Sequence, residues 1–172
     1  MEKYIAFLRG INISGKNKIA MKELKEGFVS LGFYDVKTYL NSGNVLYSAD
    51  RDDKKIIEDM IKEKFFLDIP VYTISFQRLK EILDMSPIWW NDKNTYNNLI
   101  FILDSEGPSK IKNLIGVPSK GLEKVQIIDE VIFWSFNKNN YQKCHWWKMT
   151  STKGISEKLT IRTANTLYKI VS

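Results

Sequence analysis

The sequence predicts an α+β fold of two similar lobes with antiparallel sheets, and three observations carry that reading. Over the first 75 residues, short apolar runs and segments of helical spacing alternate in the order β-α-β-β-α-β. The same order begins again near residue 98. In each half, neighbouring apolar runs are joined by a short turn-forming stretch, which makes them hairpins and their strands antiparallel.

Tyr4 to Leu8 is a continuous apolar run and reads as a central strand covered on both faces. Met21, Leu24, Phe28 and Leu31 recur at helical spacing, and Gly32 follows where a helix C-cap glycine belongs. Val36 to Leu40 and Val45 to Ser48 flank Asn41, Ser42, Gly43 and Asn44, residues that tolerate the positive φ of a hairpin turn. Asp52 and Asp53 open a second helix that carries Ile56, Ile57, Met60, Ile61 and Phe65 inward, and Pro70 to Ser75 is the next strand. A linking helix from Gln77 to Asp84 and an aromatic stretch from Ser86 to Asn97 follow. In the second half Leu99 to Leu103 is a strand and Pro108 to Ile115 a short helix. Val125 to Ile128 and Val131 to Phe136 form a hairpin about Asp129 and Glu130. A Trp-rich basic segment then leads to a closing helix with Ala164, Leu167, Tyr168 and Val171 on one side.

This order is the split βαβ arrangement of the ferredoxin-like fold, in which two helices cover one face of an antiparallel sheet. The predicted organisation is an N-terminal ferredoxin-like subdomain at 1–75, a linking helix and aromatic connector at 76–97, and a C-terminal ferredoxin-like subdomain at 98–172. Residue-level repetition between the halves is not visible, so the duplication rests on element order.

At 172 residues the chain can bury roughly 70% of its unfolded surface, enough for a core that needs no staple. With 44% hydrophobic and 13% aromatic residues it is too apolar for disorder. The N-terminal residues lack the pattern of a secretory signal and no apolar run approaches the length of a membrane span, so a cytoplasmic protein without membrane contact is expected. Cys144 is the single cysteine, which excludes an intrachain disulfide and favours a packing role for the thiol. Net charge is +6. Residues 138–172 hold seven bases (Lys138, Lys143, Lys148, Lys153, Lys158, Arg162 and Lys169) against Glu157 alone, so the whole excess lies there. That asymmetry suits an anionic partner, or equally a solvated basic surface. Oligomeric state is left open.

Further sequence features bear on identity: Leu8-Arg9-Gly10-Ile11-Asn12, Gly15-Lys16-Asn17-Lys18, Met21, Leu24, Leu31-Gly32 and Thr38-Tyr39-Leu40-Asn41-Ser42-Gly43-Asn44-Val45. Together they resemble the signature of the bacterial domain-of-unknown-function family 1697. Pro87 with Trp89 and Trp90, and Trp134-Ser135-Phe136, extend the likeness. Near the C-terminus Thr160, Arg162 and Thr166 fit the family pattern, while Thr163 and Ala164 stand where it has Asn and Trp. The resemblance implies a fold of two ferredoxin-like subdomains, and it implies no activity, substrate or catalytic residue.

The stretch from Arg9 to Ala20 is longer than the usual strand-to-helix connection, and length of this kind often marks function. Between Lys3 and Lys22 there are five bases and no acid. Gly10 and Gly15 let backbone approach a ligand, Asn12 and Asn17 add amide donors, and a phosphate would sit between these, Lys16, Lys18 and the start of the helix at Met21. Arg162, among Thr160, Thr163 and Thr166 near the last helix, is a further candidate that would join Arg9, Lys16 and Lys18 if the first and last elements met. The anion-binding set is therefore Arg9, Gly10, Asn12, Gly15, Lys16, Lys18 and Arg162, with a structural loop and a surface salt bridge as the plain alternatives.

A second candidate is single-stranded nucleic acid held by Lys143, Trp146, Trp147 and Lys148, where lysines pair phosphates and indoles stack on bases. Packing between the lobes is the competing reading for the tryptophans, and a protein-interaction module is a third. Metal and thiol chemistry are disfavoured. His145 adjoins Cys144, and neighbours in a strand point apart, so they make no dyad and no zinc site. Ser42 lacks the strand-to-helix setting of a nucleophile elbow. No cofactor is implied, no catalytic residue stands out, and whether the protein is an enzyme is left undecided.

Overall fold

The computed structural model describes residues 1–172. The chain divides into two compact units, Met1–Lys80 and Glu81–Ser172. The first runs β1 (Glu2–Leu8), α1 (Met21–Ser30), β2 (Tyr34–Tyr39), β3 (Asn44–Ala49), α2 (Lys54–Phe65) and β4 (Val71–Ser75), followed by α3 (Phe76–Asp84). Its strands lie in the order β2-β3-β1-β4 and every pairing is antiparallel. The second contains a 3-10 turn (Ile88–Asn91), β5 (Thr95–Ile102), α4 (Pro108–Ile115), β6 (Glu123–Ile128), β7 (Val131–Asn137), α5 (His145–Thr150), β8 (Leu159–Thr163) and α6 (Ala164–Val171). Its order is β6-β7-β5-β8, again wholly antiparallel. Both units therefore have the ferredoxin-like topology, in which β1 (or β5) and β3 (or β7) each separate two strands joined by a helical crossover.

The repetition reaches the register. Tyr4 to Leu8 of β1 pair with Ser75 to Val71 of β4, and Asn98 to Ile102 of β5 pair with Thr163 to Leu159 of β8. Each of these last strands runs directly into a helix capped by its final hydroxyl. Ser75 Oγ accepts from the Arg78 amide at 3.0 Å, and Thr163 Oγ1 from the Thr166 amide at 3.3 Å.

In the first unit Tyr4, Ala6 and Leu8 of β1, with Val45, Tyr47 and Ala49 of β3, pack against Leu24 and Phe28 of α1 and Ile57, Met60 and Ile61 of α2. Alternation along each strand puts these side chains on one face. Gly27 lets the two helices approach, since a Cβ there would lie 2.5 Å from Met60 Sδ. Asp53 caps α2, its carboxylate accepting from the Ile56 amide at 3.4 Å. The Tyr47 ring packs against those of Tyr4, Phe28 and Phe33, and its hydroxyl is buried without a hydrogen-bond partner.

The second unit is organised by a buried carboxylate. Glu123 accepts from the Ser119 amide at 2.8 Å, the Trp134 indole at 3.2 Å and the Trp146 amide at 3.1 Å. It thus caps α5 from a distant strand while tying down the 116–122 connection. Trp146 buries its ring among Ile111, Ile115, Trp134 and Ile155, and its indole donates to the Gly116 carbonyl at 3.0 Å. On the other sheet face Trp90 donates to the Asn98 carbonyl at 2.8 Å and meets Phe133 edge-on.

Three sequence expectations change. The stretch around Cys144 and His145 is no strand: Cys144 precedes α5 and His145 opens it. Leu159–Thr163, read as the approach to the last helix, is the edge strand β8, because pairing with β5 supplies what its mixed pattern does not signal. The buried side of α6 is Ala164, Leu167 and Ile170, while Tyr168 turns outward.

Tyr47→Phe is expected to leave stability unchanged or raise it by about 1 kcal/mol, because it removes a buried hydroxyl with no partner. A clear loss in urea denaturation would show that the hydroxyl is satisfied by water. Glu123→Ala should cost the second unit about 3 kcal/mol, since it orphans buried donors in the protein interior. A cost below about 1 kcal/mol would mean that this carboxylate does not organise α5.

Candidate anion-binding site

The connection from β1 to α1 is anchored at both ends by buried Ile11 and Ile19, and everything between them except half-buried Asn12 is exposed. Gly10, Asn12, Ser14, Gly15 and Asn17 all have positive φ, so the chain coils back on itself. Ile13 and Lys16 close a tight turn, with the Lys16 amide donating to the Ile13 carbonyl at 2.8 Å. The Asn12 side chain holds the loop's neck. Its amide donates to the carbonyls of Ile19 at 3.0 Å and Asn41 at 2.8 Å, and its oxygen accepts from the Ile19 amide at 2.8 Å. Asn17 donates to the Gly10 carbonyl at 2.9 Å. Under the loop lies the β2–β3 turn, where Gly43 has φ +84 and a Cβ would meet Leu8 Cβ and Ile11 Cδ1 at 2.8 Å.

This arrangement leaves a recess of about 460 Å³, open to solvent and lined by Asn12, Gly15, Lys18, Ile19, Ala20, Met21 and Asn41. Ala20 is the residue before α1 and has no side chain to cap it. The amides of Met21, Lys22 and Glu23 accordingly have no acceptor, since the first helical bond is from Leu24 to the Ala20 carbonyl. Uncapped amides and the helix dipole make the recess electropositive beside the exposed Lys18. Glu23 in the same turn offsets part of that potential.

Of the residues expected at an anion site, Asn12, Gly15 and Lys18 line this recess. Asn12 spends both amide hydrogens on the carbonyls of Ile19 and Asn41, whereas Asn17 spends one on the Gly10 carbonyl and keeps the other. Gly10 shapes the loop and accepts from Asn17, and Lys16 is exposed at the turn. The half-buried Arg9 donates its backbone amide to the Pro70 carbonyl at 3.0 Å. Arg162 belongs to the second unit and is 8% exposed within β8. Its Nη1 donates to Thr160 Oγ1 at 2.9 Å and the Ile161 carbonyl at 3.0 Å. Burial pushes the guanidinium down to about 10, which still leaves it charged at neutral pH. The sequence reading placed the start of the helix at Met21 beside the loop donors, and the structure leaves the amides of Met21, Lys22 and Glu23 without an acceptor there, Ala20 offering no cap.

The residues of the nucleic-acid alternative are split by burial. Trp146 is wholly buried and out of reach of a base, whereas Trp147 is 37% exposed and stands edge-on to Tyr141. Lys143 and Lys148 are exposed. Two of the other C-terminal lysines are engaged: Lys158 pairs with Asp104 at 2.8 Å, and Lys138 lies over the Tyr96 ring. Lys158 holds the Asp104 carboxyl below its ordinary range. The Cys144 thiol is buried and its pKa is pushed up, first by desolvation and then by Glu123, so it stays protonated. His145 Nε2 lies 2.7 Å from the Ile115 carbonyl, a contact that engages that ring nitrogen as the donor. No three His, Cys, Asp or Glu side chains gather into a metal-holding group. No helix is long and apolar enough to cross a membrane.

The family pattern described as a protein of unknown function, DUF1697, matches residues 1–133. A conserved bacterial protein of Streptococcus pneumoniae has a similar structure, with a TM-score of 0.82 and 24% identity over 99% of this chain and 97% of that one. An unknown protein of Galdieria sulphuraria also matches, at 12% identity and a TM-score of 0.28, covering 94% of this chain and 96% of that one. No curated protein matches the sequence.

Asn12→Ala is expected to lose about 2–3 kcal/mol by removing partners on both sides of the loop neck. Amide exchange at Ile19 should accelerate with it. Unchanged exchange at Ile19 would show that the loop holds itself without this side chain.

Proposed function

The chain belongs to the DUF1697 family of proteins of unknown function, and on that premise we propose that it binds a phosphate-bearing small molecule at the start of α1. The observation that carries the reading is the uncapped N-terminus of α1, opening with Lys18 on a recess of about 460 Å³. Free backbone amides suit phosphate oxygens, which accept several hydrogen bonds at once and carry the charge that the helix end favours.

The second unit serves as an internal comparison. The same β-to-α connection there spans residues 103–107, against 9–20 in the first unit. The topology therefore closes without the long loop, and the extra residues are free to serve something other than folding. The short connection carries Asp104 and Glu106 and no base, the opposite sign to the long one. A cytoplasmic setting goes with this reading, since a reducing compartment suits a chain whose single cysteine is free and buried. The role is binding, and no group is assigned to catalysis.

Titration of ¹⁵N-labelled protein with inorganic phosphate, glucose 6-phosphate and adenosine monophosphate tests this. Saturable shifts of the Met21, Lys22 and Glu23 amides are expected. Lys18→Glu should weaken binding about tenfold and Glu23→Gln should strengthen it about threefold, since each changes the local charge at the helix end. Still amides at about 10 mM of every probe would end the proposal.

A further inference from the structure

The second unit carries a separate recess on the sheet face that Trp90 covers. It encloses about 250 Å³ between the turn that follows the Ile88–Asn91 helix and strands β5, β6 and β7. Trp89 and Asp92 line it from the turn side, and Thr95 of β5, Lys124 of β6, and Ser135 and Asn137 of β7 from the strands, with Glu123 also in the lining. Register places Lys124 opposite Ser135 and Ser135 opposite Asn97, so the row crosses the sheet on one face.

The hydrogen-bond roles of these groups are largely decided. Asn97 donates to the Asp92 carbonyl at 3.0 Å, which turns its oxygen towards the hydroxyls. That oxygen accepts from Ser135 Oγ at 2.7 Å and Thr95 Oγ1 at 2.7 Å. Ser135 is 2% exposed, and with its proton committed its oxygen can only accept. Thr95 has a second acceptor in the Asp92 carbonyl at 3.2 Å, so its proton is committed either way. The Asp92 carboxylate accepts from the Asn94 amide at 2.8 Å and donates nothing. Beside Thr95 in the register, Asn137 uses its oxygen to accept from the Asn139 amide at 2.8 Å, leaving its nitrogen as a donor. Lys124 is exposed and forms no ion pair within the chain.

Committed acceptors thus alternate with committed donors around a small recess with an indole at its edge, Thr95 beside Asn137 and Ser135 beside Lys124. A phosphate would meet the acceptor oxygens of Ser135, Thr95 and Asp92, and a bare ammonium would meet Lys124 and Asn137. Hydroxyl groups satisfy both sides, because each donates and accepts. The charges of Asp92 and Lys124 offset one another, and Glu123, which also lines the recess, spends its carboxylate on the Ser119 and Trp146 amides and the Trp134 indole, so the groups left for a ligand suit a neutral one. The polar groups come from a turn and three strands and alternate donor with acceptor, which a ring bearing hydroxyls on several carbons serves better than a flat base with one fixed polar edge. The volume lies below the roughly 300 Å³ at which pockets for drug-sized ligands begin. We infer that this recess is a binding site for a single neutral polyhydroxylated ring of monosaccharide size, with its C–H face on Trp89.

The site is independent of the phosphate reading, and one spectrum separates the two. Full-length ¹⁵N-labelled protein is titrated with D-glucose, D-galactose, D-mannose, N-acetyl-D-glucosamine and myo-inositol, with adenosine and inorganic phosphate alongside. At least one sugar or inositol should move the Trp89 indole and Asn137 side-chain signals saturably, while the Met21 to Glu23 amides stay still. Trp89→Ala should weaken that binding about fivefold and Asn137→Asp about tenfold. Both positions are at least partly exposed, and the remaining signals report whether the fold is intact. Three results would overturn the inference: no saturable shift with any polyol at about 100 mM, a response to adenosine or phosphate alone, or polyol binding unaltered in both variants.

Discussion

Hydrogen bonding on both sides of β1 and β5 is the constraint on which each unit rests. Each of these strands is paired with the third and fourth strands of its own unit, so both edges are closed and both faces carry side chains. Ile5, Ala6, Phe7 and Leu8 have no exposed surface, nor have Leu99, Ile100 and Phe101. Helical crossovers run from β1 to β2 and from β3 to β4 while a hairpin returns β3 to the side of β1, and crossovers of one hand put α1 and α2 on the same face. The helices, the hairpins and the ends where loops emerge all follow from that pairing.

The two units then differ in what they add at those ends. In the first, the β1–α1 connection coils through several positive-φ residues and is laced by asparagine side chains rather than by packing. Asparagine suits this position because it tolerates the left-handed region and its amide bonds to backbone in several directions. In the second, the additions come around α5, and there a charged side chain provides the order. Glu123 sits in the interior with amide and indole donors around it, which is how a buried carboxylate stays tolerable without a cation.

Buried polar groups also separate structural roles from exposed ones. Arg162 looked like a ligand residue because of its charge and its threonine neighbours, but it lies inside β8 and bonds to Thr160 and the backbone. Trp146 looked like half of a stacking pair, but it is a core residue held through the Gly116 carbonyl. Residue type marked both positions as special without distinguishing a binding group from a structural one. That distinction depends on which side of a short strand or helix the residue occupies.

The sequence by itself determined the strand and helix order of the first half and that of the second as far as the β6–β7 hairpin, the hairpin turns, the ferredoxin-like fold class and the loop at 9–20. These follow from local physics: apolar periodicity, turn residues that accept positive φ, and Asp53 as a cap, all signals that lie within a few residues of what they specify. Only the tertiary structure decided that Leu159–Thr163 is a strand, that His145–Thr150 is a helix, and that Asn12 is a staple rather than a ligand donor. Each of these depends on partners far along the chain. β8 exists by pairing with β5, α5 by the carboxylate of Glu123, and Asn12 is spent on Asn41 across the hairpin turn. A side chain's hydrogen bonds are set by whichever group folding brings within about 3 Å, and a linear pattern does not encode that distance.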